Sequence, residues 1–200
     1  MNIIQLRGVF MDKRQRIIDS AIKLYLRQGI EKTTITDIVK DAGIGQGTYY
    51  LYFSSKLSVM PAIAEYMVNN VLRRLESEVR DRSFKRNVET MVSVFFDNTE
   101  EYKELTKLVY TGFTQTEEVG RWETIYAPLY EWVQTLIDRA RSDGEISPRT
   151  SSFFASRIMI GAMESAAEQV YLFDDPEQSF IDEYRSALVD HILTSLNYGK

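Results

Sequence analysis

Apolar residues recur at three- and four-residue spacing along almost the whole chain, and no stretch sustains the two-residue alternation of a half-buried strand. Over Lys13–Gln28 the apolar positions are Ile17, Ile18, Ala21, Ile22, Leu24 and Tyr25, and Gly29 follows as a C-terminal cap. In Glu31–Gly43, Thr34 is placed to cap a short helix and Asp37, at its third position, to close a capping-box-like pair. Ile35, Ile38, Val39 and Ala42 form the apolar side of that helix, and Gly43 ends it. A second short element begins near Gln46. Past Phe53, Ser54 or Ser55 can cap a long helix reaching about Asp81, with Pro61 predicting a kink or a delayed regular start.

Further helical stretches fall at 84–99, 101–114, 121–142, 150–172 and 178–197. The breaks are Arg82-Ser83, Gln115–Gly120, Ser142–Arg149 and Phe173–Glu177, and Pro128 is expected to split 121–142 in two. No internal repeat is visible. The pattern predicts an all-α chain: a flexible leader over 1–11, a compact three-helix front over 12–57 and a larger helical body over 58–200.

Composition adds little until charge is mapped. The 44% hydrophobic content is ample for a core, and the chain has no cysteine and one histidine, which leaves no disulfide, no thiolate nucleophile and no Cys-based zinc site. No apolar run approaches the roughly 18 residues of a membrane span. Met1–Phe10 lack the apolar stretch and cleavage site of a signal peptide, and Met11 follows directly, so a cytoplasmic location is expected. The net charge of −5 is uneven: Met11–Leu57 hold eight Lys/Arg against five Asp/Glu. A basic front on an acidic body suggests that only the front meets a polyanion.

The stretch Gly43-Ile-Gly-Gln-Gly-Thr-Tyr-Tyr-Leu-Tyr-Phe53 holds three glycines and four aromatics with no charge. Its glycine spacing is not that of a dinucleotide loop, and it follows a helix rather than a strand. A lone strand over Thr48–Phe53 would have no ladder partner. A helix–turn–helix fits better: helix 34–42, a turn at Gly43-Ile-Gly45, and a second helix from Gln46. Tyr49 and Phe53, four apart, then face Ile38 and the Ile18/Ile22/Tyr25 side of the first helix. Gln46, Gly47, Tyr50 and Leu51 face outward, where a recognition helix meets base edges. Gln can read a base bidentately and Leu can touch a thymine methyl. Thr48 and the tyrosine hydroxyls reach phosphates, and Lys56 adds a charge at the next helix end. By pattern alone the same tyrosines also fit a half-buried face of a small helical domain.

Thr33-Thr-Ile-Thr-Asp-Ile-Val-Lys-Asp-Ala-Gly-Ile-Gly-Gln-Gly-Thr-Tyr-Tyr-Leu-Tyr-Phe-Ser-Ser-Lys56, with the Ile17–Gly29 helix before it, resembles the N-terminal signature of the TetR family of bacterial transcriptional regulators. The resemblance spans about 45 residues. It implies a homodimer of all-helical subunits whose helix–turn–helix units bind a palindromic double-stranded DNA operator. The body would hold a small-molecule inducer and the protein would act as a repressor. Carried over by position, Thr36 and Gln46 fall at base-contacting positions and Gly47 permits close approach. Thr34, Thr48, Tyr50, Tyr52 and Lys56 fall at backbone-contact positions, and Leu51 at an exposed recognition-helix position. Where many relatives have Ser-Lys-Gly or Ser-Arg-Gly, this chain has Gly45-Gln46-Gly47, losing a helix cap and a cation.

Two late helices suit a dimer interface. Phe180, Tyr184, Leu188, His191, Ile192, Ser195 and Leu196 form a stripe along 178–197. In 150–172, Gly161, Ala162, Ser165, Ala166 and Ala167 permit close approach beside Phe154, Ile158 and Val170, giving an intersubunit four-helix bundle. The alternative is that both stripes face their own core. For the inducer the candidates are Phe96, Tyr110, Phe113, Trp122, Tyr126, Tyr130 and Met163, with Glu164 nearby, an aromatic set suited to a flat or lipophilic ligand. Ordinary core is the competing explanation. His191 reads as a dimer-face or core residue, not a metal ligand, and no cofactor is implied. An enzyme has little support: Gly-x-Ser-x-Gly and His-Glu-x-x-His are both absent. A helical adaptor using Tyr49–Phe53 as a partner patch is the third class.

Overall fold

The first two helices start at capping side chains. The computed structural model describes residues 12–80, 83–113, 121–173 and 176–199, so the leader expected over 1–11 lies outside the described residues. Helix α1 (Lys13–Gln28) starts at Asp12, whose carboxylate accepts from the Arg14 amide at 3.1 Å. It ends at Gly29, whose N–H donates to the Tyr25 carbonyl at 2.8 Å. Helix α2 (Ile35–Ala42) carries the expected box: Asp37 N–H donates to Thr34 Oγ1 at 3.1 Å and Thr34 N–H to Asp37 Oδ2 at 2.9 Å. The Thr34 hydroxyl's hydrogen bond holds the Asp37 carboxyl below the usual carboxylate range.

Gly43 closes α2 in the left-handed conformation at φ 62°, and the Ile44 and Gly43 amides bond back to Val39 and Lys40. Helix α3 (Gln46–Tyr50) is a turn and a half, and Gly45 before it contributes no side-chain cap. At the next start, Ser55 and Ser58 exchange hydrogen bonds, each amide donating to the other's hydroxyl, at 3.0 and 3.1 Å. A 3₁₀ turn over Leu57–Val59 precedes α4 (Met60–Glu78). Pro61 therefore stands in the first turn of the regular helix, where its missing N–H costs nothing.

The remaining helices are α5 (Phe84–Glu101), α6 (Lys103–Phe113), α7 (Trp122–Ser142), α8 (Ser152–Glu168), which continues into a π turn over Gln169–Phe173, and α9 (Gln178–Ser195). Pro128 does not split α7: it sits within one continuous helix. In its second turn the ring forfeits a single hydrogen bond, to a carbonyl one turn back.

Contacts divide the chain into two units, Met1–Tyr66 with Glu104–Trp122, and Met67–Lys103 with Glu123–Lys200. In the first, α1, α2 and α3 pack on a shared core of Ile17, Ile18, Leu24, Tyr25, Ile38 and Tyr49. Helix α6, distant in sequence, joins them through Gly112: a Cβ there would lie 2.5 Å from the Met60 methyl and 3.0 Å from Ile30 Cδ1. In the second unit α5 is the central helix, packed on α8 and α9 and buried along Phe84, Val88, Met91, Val92, Phe95 and Phe96. Its first amide is capped from afar by the Glu145 carboxylate at 2.8 Å.

Gly43→Ala is expected to destabilise the chain by about 1–2 kcal/mol, because an added Cβ is disfavoured in the left-handed conformation. It would also meet the Arg16 guanidinium 2.8 Å away. Gly45→Ala, at φ −79° with open space around its Cβ, is the control. Its urea midpoint should correspond to a change within ~0.5 kcal/mol.

Candidate nucleic-acid interface

Three elements that are short of their own hydrogen bonds meet at the turn between α2 and α3, and side chains from elsewhere complete them. Arg16 of α1 donates to the Ala42 and Gly43 carbonyls, the second at 3.1 Å, so a cation closes the C-terminal end of α2. Lys56 donates to the Ile30 carbonyl at 2.7 Å and to that of Glu31 at 3.4 Å, tying the start of the long helix to the α1–α2 connection. The hydroxyl of buried Thr33 donates to the Gly29 carbonyl at 2.8 Å. Two buried tyrosines hold the segment after α3: Tyr49 donates to the Ser55 carbonyl at 2.9 Å and Tyr25 to that of Lys56 at 2.8 Å. Burial pushes both phenols well above their ordinary range, so they remain donors.

This scaffold sorts the residues of the short helix by face. Tyr49 is fully buried and Phe53 nearly so, their rings 5.7 Å apart, against Ile18, Tyr25 and Ile38; Ile22 is only half-buried. On the other side Leu51 is 82% exposed, Tyr50 50% and Tyr52 42%, with Gln46 and Gly47 exposed and Thr48 half-buried. A Cβ added at Gly47 would meet nothing within 4 Å. Thr36, on the first turn of α2, is exposed on the same unit.

Two residues expected at phosphates are engaged within the fold. The Thr34 hydroxyl belongs to the capping box, and the Lys56 ammonium is held by backbone carbonyls. Arg14 pairs with Glu65 at 3.0 Å, and Lys23 with Asp41 at 2.6 Å. The sequence reading missed Arg121. With Arg14, Tyr50, Tyr52, Ser54 and Ser58 it lines a groove beside the exposed face. No sequence signal connects it to a motif some 70 positions away.

The aromatic candidates of the body separate into groups. Phe96 is fully buried, 6.2 Å from Tyr171 and 6.4 Å from Tyr184, with the Arg185 guanidinium over its ring at 5.0 Å. Arg185 also pairs with Asp97 at 2.6 Å, and Arg74 with the same carboxylate at 3.8 Å. Tyr126 and Tyr130 stand 5.6 Å apart, and the Tyr126 hydroxyl donates to Glu164 Oε1 at 2.7 Å. Met163 is fully buried. Tyr110, 48% exposed, and half-buried Trp122 belong to the first unit; the Phe113 side chain lies outside the described residues. Asn98 Oδ1 and Asn70 Nδ2 are buried without a hydrogen-bond partner among the described residues.

The two stripes of α8 and α9 also divide. Leu188, Ile192, Leu196, Ala166, Ala167 and Val170 are buried in their own protomer. Phe154 (58% exposed), Ile158 (66%), Gly161 and Ser165 form an outward row on α8, beside Phe180 and His191 on α9. His191 is therefore not a core residue. Among the described residues no cluster of His, Cys, Asp and Glu could hold a metal, and no helix is long and apolar enough to cross a membrane.

Known proteins supply the context. A family profile described as "Bacterial regulatory proteins, tetR family" matches residues 17–63, and one described as "Tetracyclin repressor-like, C-terminal domain" matches 88–196. The Bacillus subtilis HTH-type transcriptional regulator YvdT is 32% identical over 185 residues, covering 92% of this chain and 95% of YvdT. Bacillus subtilis FadR in complex with stearoyl-CoA has a TM-score of 0.70 at 18% identity, over 90% of this chain and 98% of that one. RolR in complex with resorcinol has a TM-score of 0.67 at 18% identity, over 94% and 88%.

Lys56→Ala is expected to lower stability by about 1–2 kcal/mol, because two carbonyls lose a charged donor. Tyr50→Ala, on the exposed face, should change it by under ~0.5 kcal/mol. Urea unfolding of the two variants makes the comparison, and equal losses would remove the distinction between scaffold and reading face.

Proposed function

The chain belongs to the TetR family of bacterial regulatory proteins, and from that premise we propose that it is a dimeric repressor that binds a palindromic operator and is released by a small lipophilic or aromatic inducer. It is a DNA-binding regulator and not an enzyme. The observation that carries the proposed reading is the partition of one five-residue helix: Tyr49 is wholly buried while Gln46, Gly47, Tyr50 and Leu51 face out. A partly uncharged reading face of this kind suits base edges, with Gln46 reading a base and Leu51 meeting a thymine methyl. Thr36 joins the base contacts. Thr48, Tyr50 and Tyr52 take phosphates, while Lys56 and Thr34 position the unit rather than contribute charge to DNA. Such a protein works where the chromosome is, in the bacterial cytoplasm.

Dimerisation sets the distance between the two reading helices, which must enter grooves about one DNA turn, ~34–36 Å, apart. The exposed row Phe154, Ile158, Gly161 and Ser165 on α8, with Phe180 and His191 on α9, is the surface a second copy would cover. Gly161 has open space at its Cβ position, which leaves room for a close helix crossing. The inducer would bind in the body near Phe96, Tyr126, Tyr130 and Met163. It would favour one of two states, lowering operator affinity by its differential binding energy. Helix α4, whose chain runs from the first unit into the second, would carry that change.

A gel shift with DNA upstream of the chain's own gene tests the central reading. A shift that weakens steeply with salt is expected, and its absence at low salt would sink the proposal. Tyr50→Ala should weaken binding to all sequences alike, while Gln46→Ala should change which operator variant is preferred, by about 1–3 kcal/mol at one base pair. Equal loss on every operator would refute the reading role of Gln46. Separately, Ile158→Glu is expected to convert dimer to monomer in light scattering and to abolish high-affinity operator binding; an unchanged dimer would place the interface elsewhere.

A further inference from the structure

The groove beside the exposed face of α3 lies wholly within the first unit, between the start of α1, the α3–α4 segment and the residue that precedes α7. Its volume is about 450 Å³. Its buried members, Phe53, Pro61 and Ala62, are apolar, and the Arg14 guanidinium lies 5.9 Å from the Phe53 ring. Apart from Leu51, its exposed members are polar: Arg121, the phenols of Tyr50 and Tyr52, and the Ser54 hydroxyl. Among the described residues that line it there is no carboxylate.

Tyr50, Leu51 and Tyr52 belong to the groove as well as to the exposed face, so the groove begins where the short helix ends. A duplex read by Gln46 and Leu51 lays its sugar–phosphate backbone past this point. Phosphates suit the two arginines and the hydroxyls, and the sugar edges between them suit the apolar members. An arginine has five N–H donors, so it can hold a phosphate while paired within the fold. Arg14 is so placed, its Nη2 bonded to Glu65 at 3.0 Å.

We propose that this groove seats the DNA backbone and that Arg121 binds one of its phosphates, a reading that rests on α3 as the recognition helix. The contact comes from the chain just before α7, which runs on into the second unit, so the DNA-binding surface is not confined to the N-terminal helices. Phosphates carry no sequence, and the contact therefore strengthens binding to every duplex alike. Each phosphate so neutralised adds about 0.9 to the salt slope.

The test uses the full chain and two duplexes in gel shifts over a range of salt: DNA upstream of its own gene, and an unrelated sequence of equal length. Arg121→Ala should weaken binding to both alike and lower the salt slope by about 0.9 per subunit. Between about 50 and 200 mM salt, the parent's advantage over this variant should shrink roughly threefold per subunit. Arg121→Lys keeps the charge and should keep the slope. Thermal melting checks folding, and Arg121→Gln repeats the comparison if the alanine variant melts lower. Ethylation of single phosphates locates the contact: one phosphate per half-site that matters to the parent should become silent in Arg121→Ala, while those sensed through Tyr50 persist. An unchanged slope, an unchanged ethylation pattern, or a loss confined to one duplex overturns the proposal. Millimolar inorganic phosphate at constant ionic strength should leave melting unchanged. An Arg121-dependent rise in melting with phosphate, without any Arg121 effect on DNA binding, gives the groove to a small anion and overturns it too. Operator binding that depends on Gln46 but not on Arg121 strikes only the groove. Failure of the parent to shift either duplex at low salt strikes the DNA reading and the groove with it.

Discussion

Arg16 reaches from α1 to the carbonyls of Ala42 and Gly43, and the geometry of the front unit follows from that contact. Helix α2 is eight residues long and α3 five, so neither would hold its shape in isolation. What stabilises them is the satisfaction of their ends: Thr34 and Asp37 at one end of α2, Gly43 and Arg16 at the other, and the hydroxyls of Tyr25 and Tyr49 on the segment after α3. Lys56 does for the α1–α2 connection what Arg16 does for the turn. Several of the front's cations are thus structural before they are electrostatic.

Once α3 is pinned through Tyr49 and Phe53, its opposite side stays exposed among the described residues. Leu51 is then 82% exposed, and with exposed Tyr50 and Tyr52 it makes a contiguous apolar patch. Its neighbours Gln46, Gly47 and Tyr50 share that exposure, and a groove edge is the kind of surface that uses all four. Gly45-Gln46-Gly47 lacks the capping side chain and the cation common at these positions, and the structure shows no compensating cap at Gly45. Both glycines leave open space where a side chain would stand.

The body is built on a different constraint. Its core is closed by apolar faces of α5, α7, α8 and α9, with two polar groups of interest left inside or at its margin. The Asp97–Arg185–Phe96 cluster is balanced, charge against charge and cation over ring. In the second group, the Tyr126 hydroxyl donates to the Glu164 carboxylate, which is half-buried. On α8, Ile158 and Phe154 stay exposed within the protomer.

Periodicity and caps alone determined the helical class, the helix positions and the helix–turn–helix, because short-range hydrogen bonding and side-chain spacing act within a few residues. The capping box at Thr34, the left-handed Gly43 and the inward faces of Tyr49 and Phe53 were all legible for that reason. Pro128 was not: whether a proline splits a helix depends on whether tertiary packing offsets one lost hydrogen bond, and α7 is held by Ile125, Tyr126, Leu129 and Val133 on its buried side. Nor could sequence assign Lys56 to the scaffold, Arg121 to the groove, or Phe96 and Tyr126 to separate clusters. Those assignments pair residues tens of positions apart, and only the folded chain decides which distant donor meets which carbonyl.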